Sequence, residues 1–388
     1  MLNARANCRL SLAGLLLVMA GCLVLPFALT GQTAPAPVQP PAPAQPLAPA
    51  QNGPAASAPL PAAVQARLDK LADALKTAQA AGDARAEAQM LNQIAELHYR
   101  TSDFNAAAEE YAQALNRARA ASDAAAEAQA LNGLADCDRG LGESQKALEH
   151  SRQALNVAVA AGDERGEATA LNGLGWAGCN LGKCEPAMQL HKQALTLAEK
   201  VGDAGLEALI WNRIGIVYDI AGETDKALEA YGKALELWRT AGDGRGEGTT
   251  ENNIGIVYAE KGDRRAALEH YTKALPLRIA AGDRAGTAGT LNNLGVLCKN
   301  AGAMEMALGF YRQALPFLHA VGDRAGEAMA LTNLGNIDSD LDRRQEALEA
   351  YGQALELAEK RCRPGSLLRL PGFNCLGNRA GCLDIFFV

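Results

Sequence analysis

A three-residue pattern, formed by a small apolar residue, Gly or Ser, and Asp, recurs every 40 residues along most of this chain. It reads AGD at 81, 161, 241 and 281, VGD at 201 and 321, and ASD at 121, without one insertion between copies. Tandem units of this length are typical of solenoids, in which each unit packs on its neighbours. The pattern predicts seven repeats, at 81–120, 121–160, 161–200, 201–240, 241–280, 281–320 and 321–360.

Each tripeptide also predicts where one helix ends and the next begins. Its Gly suits the left-handed residue that ends a helix, and its Asp suits the N-cap of the following helix. A second break inside the repeats is marked by Gly142, Gly182, Gly222, Gly262 and Gly302. Every repeat is therefore predicted to be an antiparallel helix pair, here called helix A and helix B.

The segment before the first repeat resembles a helix B without its helix A. Leu68, Leu71 and Leu75 form one apolar stripe there, so residues 62–80 are predicted to be a capping helix that covers the first repeat. Aromatic residues make up only 5% of the chain, which suits helices packed through small side chains. The fold prediction is all-α: a right-handed α-solenoid of seven antiparallel helix pairs with an N-terminal capping helix.

Charge and cysteine content exclude some functions. A net charge of -7 and no basic stripe disfavour nucleic acid as a partner. The repeats lack a C-x-x-C pair and a zinc-finger His spacing, so no metal or other cofactor is expected. Cys179 and Cys184 flank one turn and can pair in an oxidising compartment, although the simpler expectation is two small buried residues.

The N-terminal 30 residues have the pattern of an export signal. Arg5 and Arg9 precede an uncharged apolar run at 10–29. Within it, VMAGC at 18–22 resembles a bacterial lipobox, which would make Cys22 a lipidation site. An uncleaved membrane anchor and a conventionally cleaved signal peptide are the alternatives. All three predict export of the repeats to the periplasm or cell envelope, and residues 31–61 predict an extended Pro/Ala-rich linker.

The fourth repeat carries a recognisable signature. Its sequence resembles the tetratricopeptide repeat (TPR) family at Trp211, Ile214, Gly215 and Tyr218 on helix A and at Ala227, Tyr231 and Ala234 on helix B. The 40-residue unit is similar to those of kinesin light chain. This resemblance covers residues 81–360 and implies a concave groove lined by the A helices, in which a peptide or a partner protein binds.

The resemblance implies which residues face that groove. Position five of the motif holds a ladder of asparagines: Asn92, Asn132, Asn172, Asn212, Asn252 and Asn292. Carboxamides can bind the backbone of an extended peptide, or they can join neighbouring helices instead. Position nine varies, and Trp176, Ile216 and Ile256 there predict an apolar floor, with Arg100, Arg139 and Lys299 adding positive charge nearby.

No catalytic arrangement is visible in the sequence. There is no nucleophile elbow and no Gly-rich loop after a strand, which predicts a non-catalytic interaction scaffold. Exported TPR arrays often resemble the front half of proteins that end in a CHAT peptidase-like domain. Residues 361–388 lose the 40-residue pattern, so one alternative is the regulatory half of a truncated or frameshifted protein of that type. Another alternative is a structural module that only self-associates.

Overall fold

The computed structural model describes residues 59–361, which form fifteen α-helices and no strand. The helices are α1 Ala62–Ala81, α2 Ala84–Arg100, α3 Phe104–Ala120, α4 Ala124–Gly140, α5 Ser144–Ala161, α6 Glu164–Asn180, α7 Cys184–Val201, α8 Ala204–Ile220, α9 Thr224–Ala241, α10 Gly244–Glu260, α11 Arg264–Ala281, α12 Arg284–Asn300, α13 Met304–Ala320, α14 Arg324–Asp340 and α15 Arg344–Arg361. The predicted α-solenoid of seven helix pairs behind one N-terminal helix is confirmed. The predictions for the leader, Cys22 and the C-terminal tail lie outside the described residues.

Helix boundaries follow the repeated tripeptide. At the end of α5, Gly162 has a φ of 67°, in the left-handed region that favours glycine. Asp163 then accepts a hydrogen bond from the backbone N–H of Gly166, which satisfies one of the free donors of α6. Ser122, the copy without Gly, takes the same conformation with a φ of 51°.

Close helix contacts depend on one glycine in each middle repeat. In the fourth repeat a Cβ atom added to Gly215 on α8 would lie 2.5 Å from the Tyr231 ring of α9. Tyr231 is 1% exposed and packs with Leu235 and with Ile254 and Val257 of the next repeat. The small residue therefore lets helix B approach helix A, and the tyrosine fills the space up to the following pair.

In the third repeat a histidine occupies the tyrosine position. His191 is fully buried above Gly175, and its Nδ1 lies 2.9 Å from Oδ1 of Asn172. Its Nε2 is buried and has no hydrogen-bond partner among the described residues. Burial, with a smaller repulsion from Arg213, lowers the pKa of His191 to about 3, so the ring is neutral at physiological pH.

The turn between α6 and α7 is closed by a disulfide. Cys179 and Cys184 are bonded to each other, so the simpler expectation of two small buried residues is wrong. They are five positions apart in the sequence, and the tight turn between antiparallel helices brings their Cα atoms to 4.1 Å. Within residues 59–361 no group of three or more His, Cys, Asp or Glu side chains could hold a metal ion. No helix in this range is both long and apolar enough to cross a membrane.

The first repeat contacts the fifth and sixth repeats. Arg100, at the end of α2, donates two hydrogen bonds to the carboxylate of Asp243, at 2.7 and 2.8 Å. Ser102 donates to Asp283 and accepts from the backbone N–H of Ala285, each at 3.1 Å. We call these five residues the closure contact. Because the stack of repeats curves back on itself here, the A helices between them face a common interior.

Candidate peptide-binding groove

The predicted asparagine ladder lies mostly inside the protein. Asn92, Asn132, Asn172, Asn212 and Asn252 are buried, and Asn292 is half-buried. The amides of Asn92 and Asn132 donate to backbone carbonyls of the next repeat, at 3.1 and 3.4 Å. Asn172 instead accepts the bond from His191 described above. These positions therefore connect helices within the array.

In the middle of the array the ladder continues through side-chain pairs. Asn212 Oδ1 accepts from the hydroxyl of Thr250 at 3.0 Å and from the amide of Asn253 at 3.2 Å. Asn252 repeats both bonds at the same distances one repeat later. Such contacts are the ones that the structural interpretation of the ladder requires. Peptide binding by the six asparagines stays a prediction.

The apolar residues of position nine are more accessible than the ladder. Trp176, Ile216 and Ile256 are all half-buried. Ile216 packs beside Tyr231, and Ile256 packs beside Tyr271, so each isoleucine covers the core while part of it stays open. Trp176 differs, because the guanidinium of Arg213 lies 4.1 Å from the centre of its ring.

That stacked pair belongs to a larger arrangement. Arg139 donates a hydrogen bond to the Tyr99 hydroxyl at 2.8 Å, and the Arg245 guanidinium lies 5.0 Å from the centre of the same ring. Both arginines are also close enough to Arg213 to lower its pKa. We call Tyr99, Arg139, Trp176, Arg213 and Arg245 the five-repeat cluster. It takes one residue from each of the first five repeats.

The cluster runs diagonally across the A helices. Tyr99 and Arg139 are the penultimate residues of α2 and α4, Arg213 is near the middle of α8, and Arg245 is in the first turn of α10. A position-by-position comparison of repeats does not detect a diagonal. The sequence interpretation therefore found Arg139 and Trp176 but missed Tyr99, Arg213 and Arg245. Of the other two predicted cations, Arg100 belongs to the closure contact and Lys299 is in the sixth repeat, so both are outside the cluster.

Two charged side chains of this interior have shifted pKa values. Glu96 keeps 48% of its side chain accessible, yet reduced hydration inside the closed stack raises its pKa, against the opposing effect of Arg100 and Arg245. Its carboxylate accepts a hydrogen bond from the hydroxyl of Tyr111 at 3.0 Å. For Arg213, burial first and repulsion from Arg139 second lower the pKa to about 9. The charged side chains of the interior have therefore lost part of their hydration.

Comparison with known protein families agrees with this geometry. The family model for the tetratricopeptide repeat matches residues 86–158, 126–200, 206–280 and 282–360, which is more than half of the chain. The chain therefore belongs to the tetratricopeptide repeat family, whose members are generally non-catalytic scaffolds for protein interactions. Comparison with curated protein sequences found no match.

Solved structures show the same fold. A Rap protein in complex with the Competence and Sporulation Factor has a TM-score of 0.55 and 13% identity, over 77% of this chain and 86% of that one. A Signal Transduction ATPase with Numerous Domains from Pyrococcus horikoshii, which has a tetratricopeptide repeat sensor, has a TM-score of 0.54 and 16% identity, over 77% of this chain and 49% of that one. At these identities the likeness concerns the fold alone.

Proposed function

We propose that this chain is a non-catalytic scaffold that binds a peptide or a partner protein in the groove lined by its A helices. The five-repeat cluster carries the proposal, because side chains from five repeats meet on one interior surface while Trp176 keeps part of its ring open. Ile216 and Ile256 extend that surface with half-buried apolar area. Such a mixture of aromatic, arginine and aliphatic groups is typical of the central contacts of protein interfaces.

The asparagine ladder is a separable part of the proposal. Asn212 and Asn252 already accept two hydrogen bonds each within the array. Their amide N–H groups are the remaining donors for a ligand backbone. Comparing Asn212→Ala and Asn252→Ala with Ile216→Ala and Ile256→Ala, at matched helicity, separates the two contributions. A loss of ligand only in the isoleucine variants would make the ladder structural.

Site-specific photo-crosslinking tests where the ligand binds. A photoreactive residue is placed at 216 or 256 in the groove, and at Lys192, which is exposed on helix B, as the matched control. We expect one ligand to crosslink from both groove positions and not from the control. Crosslinks from position 192 alone would place the binding surface on the B helices and overturn the proposal.

The proposed place of action is outside the cytoplasm, with the repeats tethered to a membrane by the N-terminal segment. The apolar run and the lipobox-like residues up to Cys22 support it. Metabolic labelling with a fatty acid, followed by membrane fractionation of the wild type and Cys22→Ser, separates the three alternatives. A label that the wild type carries and Cys22→Ser lacks indicates a lipoprotein. An unlabelled wild type in the membrane fraction indicates an uncleaved anchor, and an unlabelled wild type that is exported and soluble indicates a cleaved signal peptide. Recovery in the cytoplasm would contradict all three.

A further inference from the structure

The third repeat lacks a side chain that every other repeat has. Gly178, near the end of α6, stands where the other repeats have His98, Asp138, Tyr218, Tyr258, Cys298 and Asp338. A Cβ atom added to Gly178 would meet nothing within 4 Å. Tyr218 and Tyr258 are half-buried, and each packs against two core clusters. The third repeat is therefore without the aromatic ring that fills this place in the two repeats after it.

An open cavity of about 210 Å³ lies beside Gly178. Its apolar lining comes from α5, from the end of α6 with the turn after it, and from α7: Leu148, Leu174, Leu181, Pro186, Ala187 and Leu190. The disulfide of Cys179 and Cys184 closes the turn that carries Leu181, so this wall is held in place. We call this space the Gly178 cavity. It shares no residue with the asparagine ladder or the five-repeat cluster.

The charged residues that line the Gly178 cavity are both cationic. They are Arg152 of α5 and Lys183 of the turn, and both are exposed. Within residues 59–361 neither side chain makes an ion pair or a hydrogen bond. Lys146, one turn before Arg152 on the same helix, pairs with Glu143 instead. The cavity therefore combines apolar walls with a rim of two unpaired positive charges.

Volume and shape restrict what this cavity can hold. An apolar cavity of about 150 Å³ is enough for one benzene ring, so this one has room for a single ring and a few further atoms. Tyr218 and Tyr258 show that a six-membered aromatic ring suits the corresponding place in the next two repeats. A ring between leucine side chains is stabilised by the area it buries, and an anion beside two cations gains charge-assisted hydrogen bonds.

We propose that the Gly178 cavity binds a small aromatic acid, with its ring among the leucines and its carboxylate at Arg152 and Lys183. The ligand needs both parts. A ring without a charge leaves the two cations unpaired, and an acid without a ring leaves the cavity empty. Because the cavity is separate from the groove of the A helices, this inference goes beyond the proposed function and does not depend on it.

Ligand-detected NMR on the full chain in detergent tests the site. The probe is para-fluorophenylacetate, whose fluorine signal reports binding, and three unlabelled compounds compete with it: benzyl alcohol, hexanoate and acetate. We expect the probe to bind at least about tenfold more tightly than acetate, which has no ring. We expect it to bind at least about threefold more tightly than benzyl alcohol, which has no charge, and hexanoate, whose flexible chain loses more entropy.

Variants assign the binding to the cavity. Gly178→Tyr fills the space with the side chain that the next two repeats carry, so it is expected to abolish binding and to melt no lower than the wild type. Gly289→Tyr is the matched control, since it adds the same side chain at an exposed helical glycine with open space. It is expected to bind the probe as the wild type does.

A second pair of variants tests the rim. Arg152→Gln combined with Lys183→Gln is expected to lower the affinity for the probe to that for benzyl alcohol, because the ring is still held and the charge is not. Lys192→Gln is the control, at the position of the next repeat that corresponds to Arg152. It is expected to leave the affinity unchanged.

Several results would overturn the proposal. Absence of probe binding to the wild type, or equal binding to Gly178→Tyr, would refute the site, and a lower melting temperature of Gly178→Tyr would show that the space is not there. Equal binding of hexanoate would refute the aromatic ligand, and wild-type affinity of the double rim variant would refute the role of the cations. Stronger competition by a capped peptide with a central Phe would mean that the cavity receives a side chain of a partner protein instead.

Discussion

Acidification is expected to destabilise this protein through His191. Its Nε2 is buried without a hydrogen-bond partner among the described residues, and its Nδ1 donates to Asn172, an acceptor that fixes the Nδ1–H tautomer. A second proton would have to enter at Nε2, in the buried space above Gly175 and near the charge of Arg213. The folded state therefore resists protonation that the unfolded chain accepts.

The size of the effect follows from the two pKa values. The ordinary pKa of 6.5 applies to the unfolded chain, and the folded protein has a value of about 3. Between these values the unfolded state binds more protons, so the free energy of unfolding falls as the pH is lowered. From pH 7 to pH 5 this single group is expected to remove about 2 kcal/mol.

Urea unfolding at pH 7, 6 and 5 tests this, with the wild type and His191→Tyr compared at each pH. Tyrosine occupies the same position in five other repeats, and in four of them a glycine at the position of Gly175 accommodates its ring. The remaining histidines are common to both proteins, so their contributions cancel in the difference. Parallel pH profiles of the two proteins would refute the reasoning, because they would mean that His191 is protonated without cost.

Three further tests concern packing and closure. Tyr231→Ala is expected to lower the free energy of unfolding by about 3–5 kcal/mol, since it empties a buried ring position; a loss below about 1 kcal/mol in urea would contradict the packing. Gly215→Ala should lower the melting temperature, because the added methyl group would meet the Tyr231 ring. Gly232→Ala, whose added methyl group meets open space, should instead raise the free energy of unfolding by up to about 1 kcal/mol. A double-mutant cycle of Arg100→Ala and Asp243→Ala should give a coupling of about 1 kcal/mol, and additive effects would mean that the closure contact does not form in solution.

The sequence predicted what is decided within one repeat. A helix end needs a left-handed residue and a donor-satisfying cap, and Gly162 and Asp163 supply both at a fixed position of the period. The burial of Tyr231 follows from the small residue opposite it. These features depend on neighbours in the chain or in the adjacent helix, so a repeated pattern reveals them.

The groove interior was predicted only in part, because it depends on how small rotations between repeats accumulate. The contact of Arg100 with Asp243 joins positions 143 residues apart, and no local pattern fixes that separation. Arg213 and Arg245 were missed for the same reason, since their meeting requires the whole curvature of the stack. The burial of Asn212 could not be predicted either, because a carboxamide can bind a ligand or a neighbouring helix equally well.

The closure contact also limits how this array can evolve. Repeat proteins commonly gain or lose whole units by duplication and deletion, and a stack with nearest-neighbour contacts tolerates such changes. Here, adding or deleting one 40-residue unit between Arg100 and Asp243 would carry the two residues away from each other. The length of the chain between them is therefore set in whole repeats, much as the number of blades is set in a closed propeller. Units beyond the sixth repeat carry no such restriction.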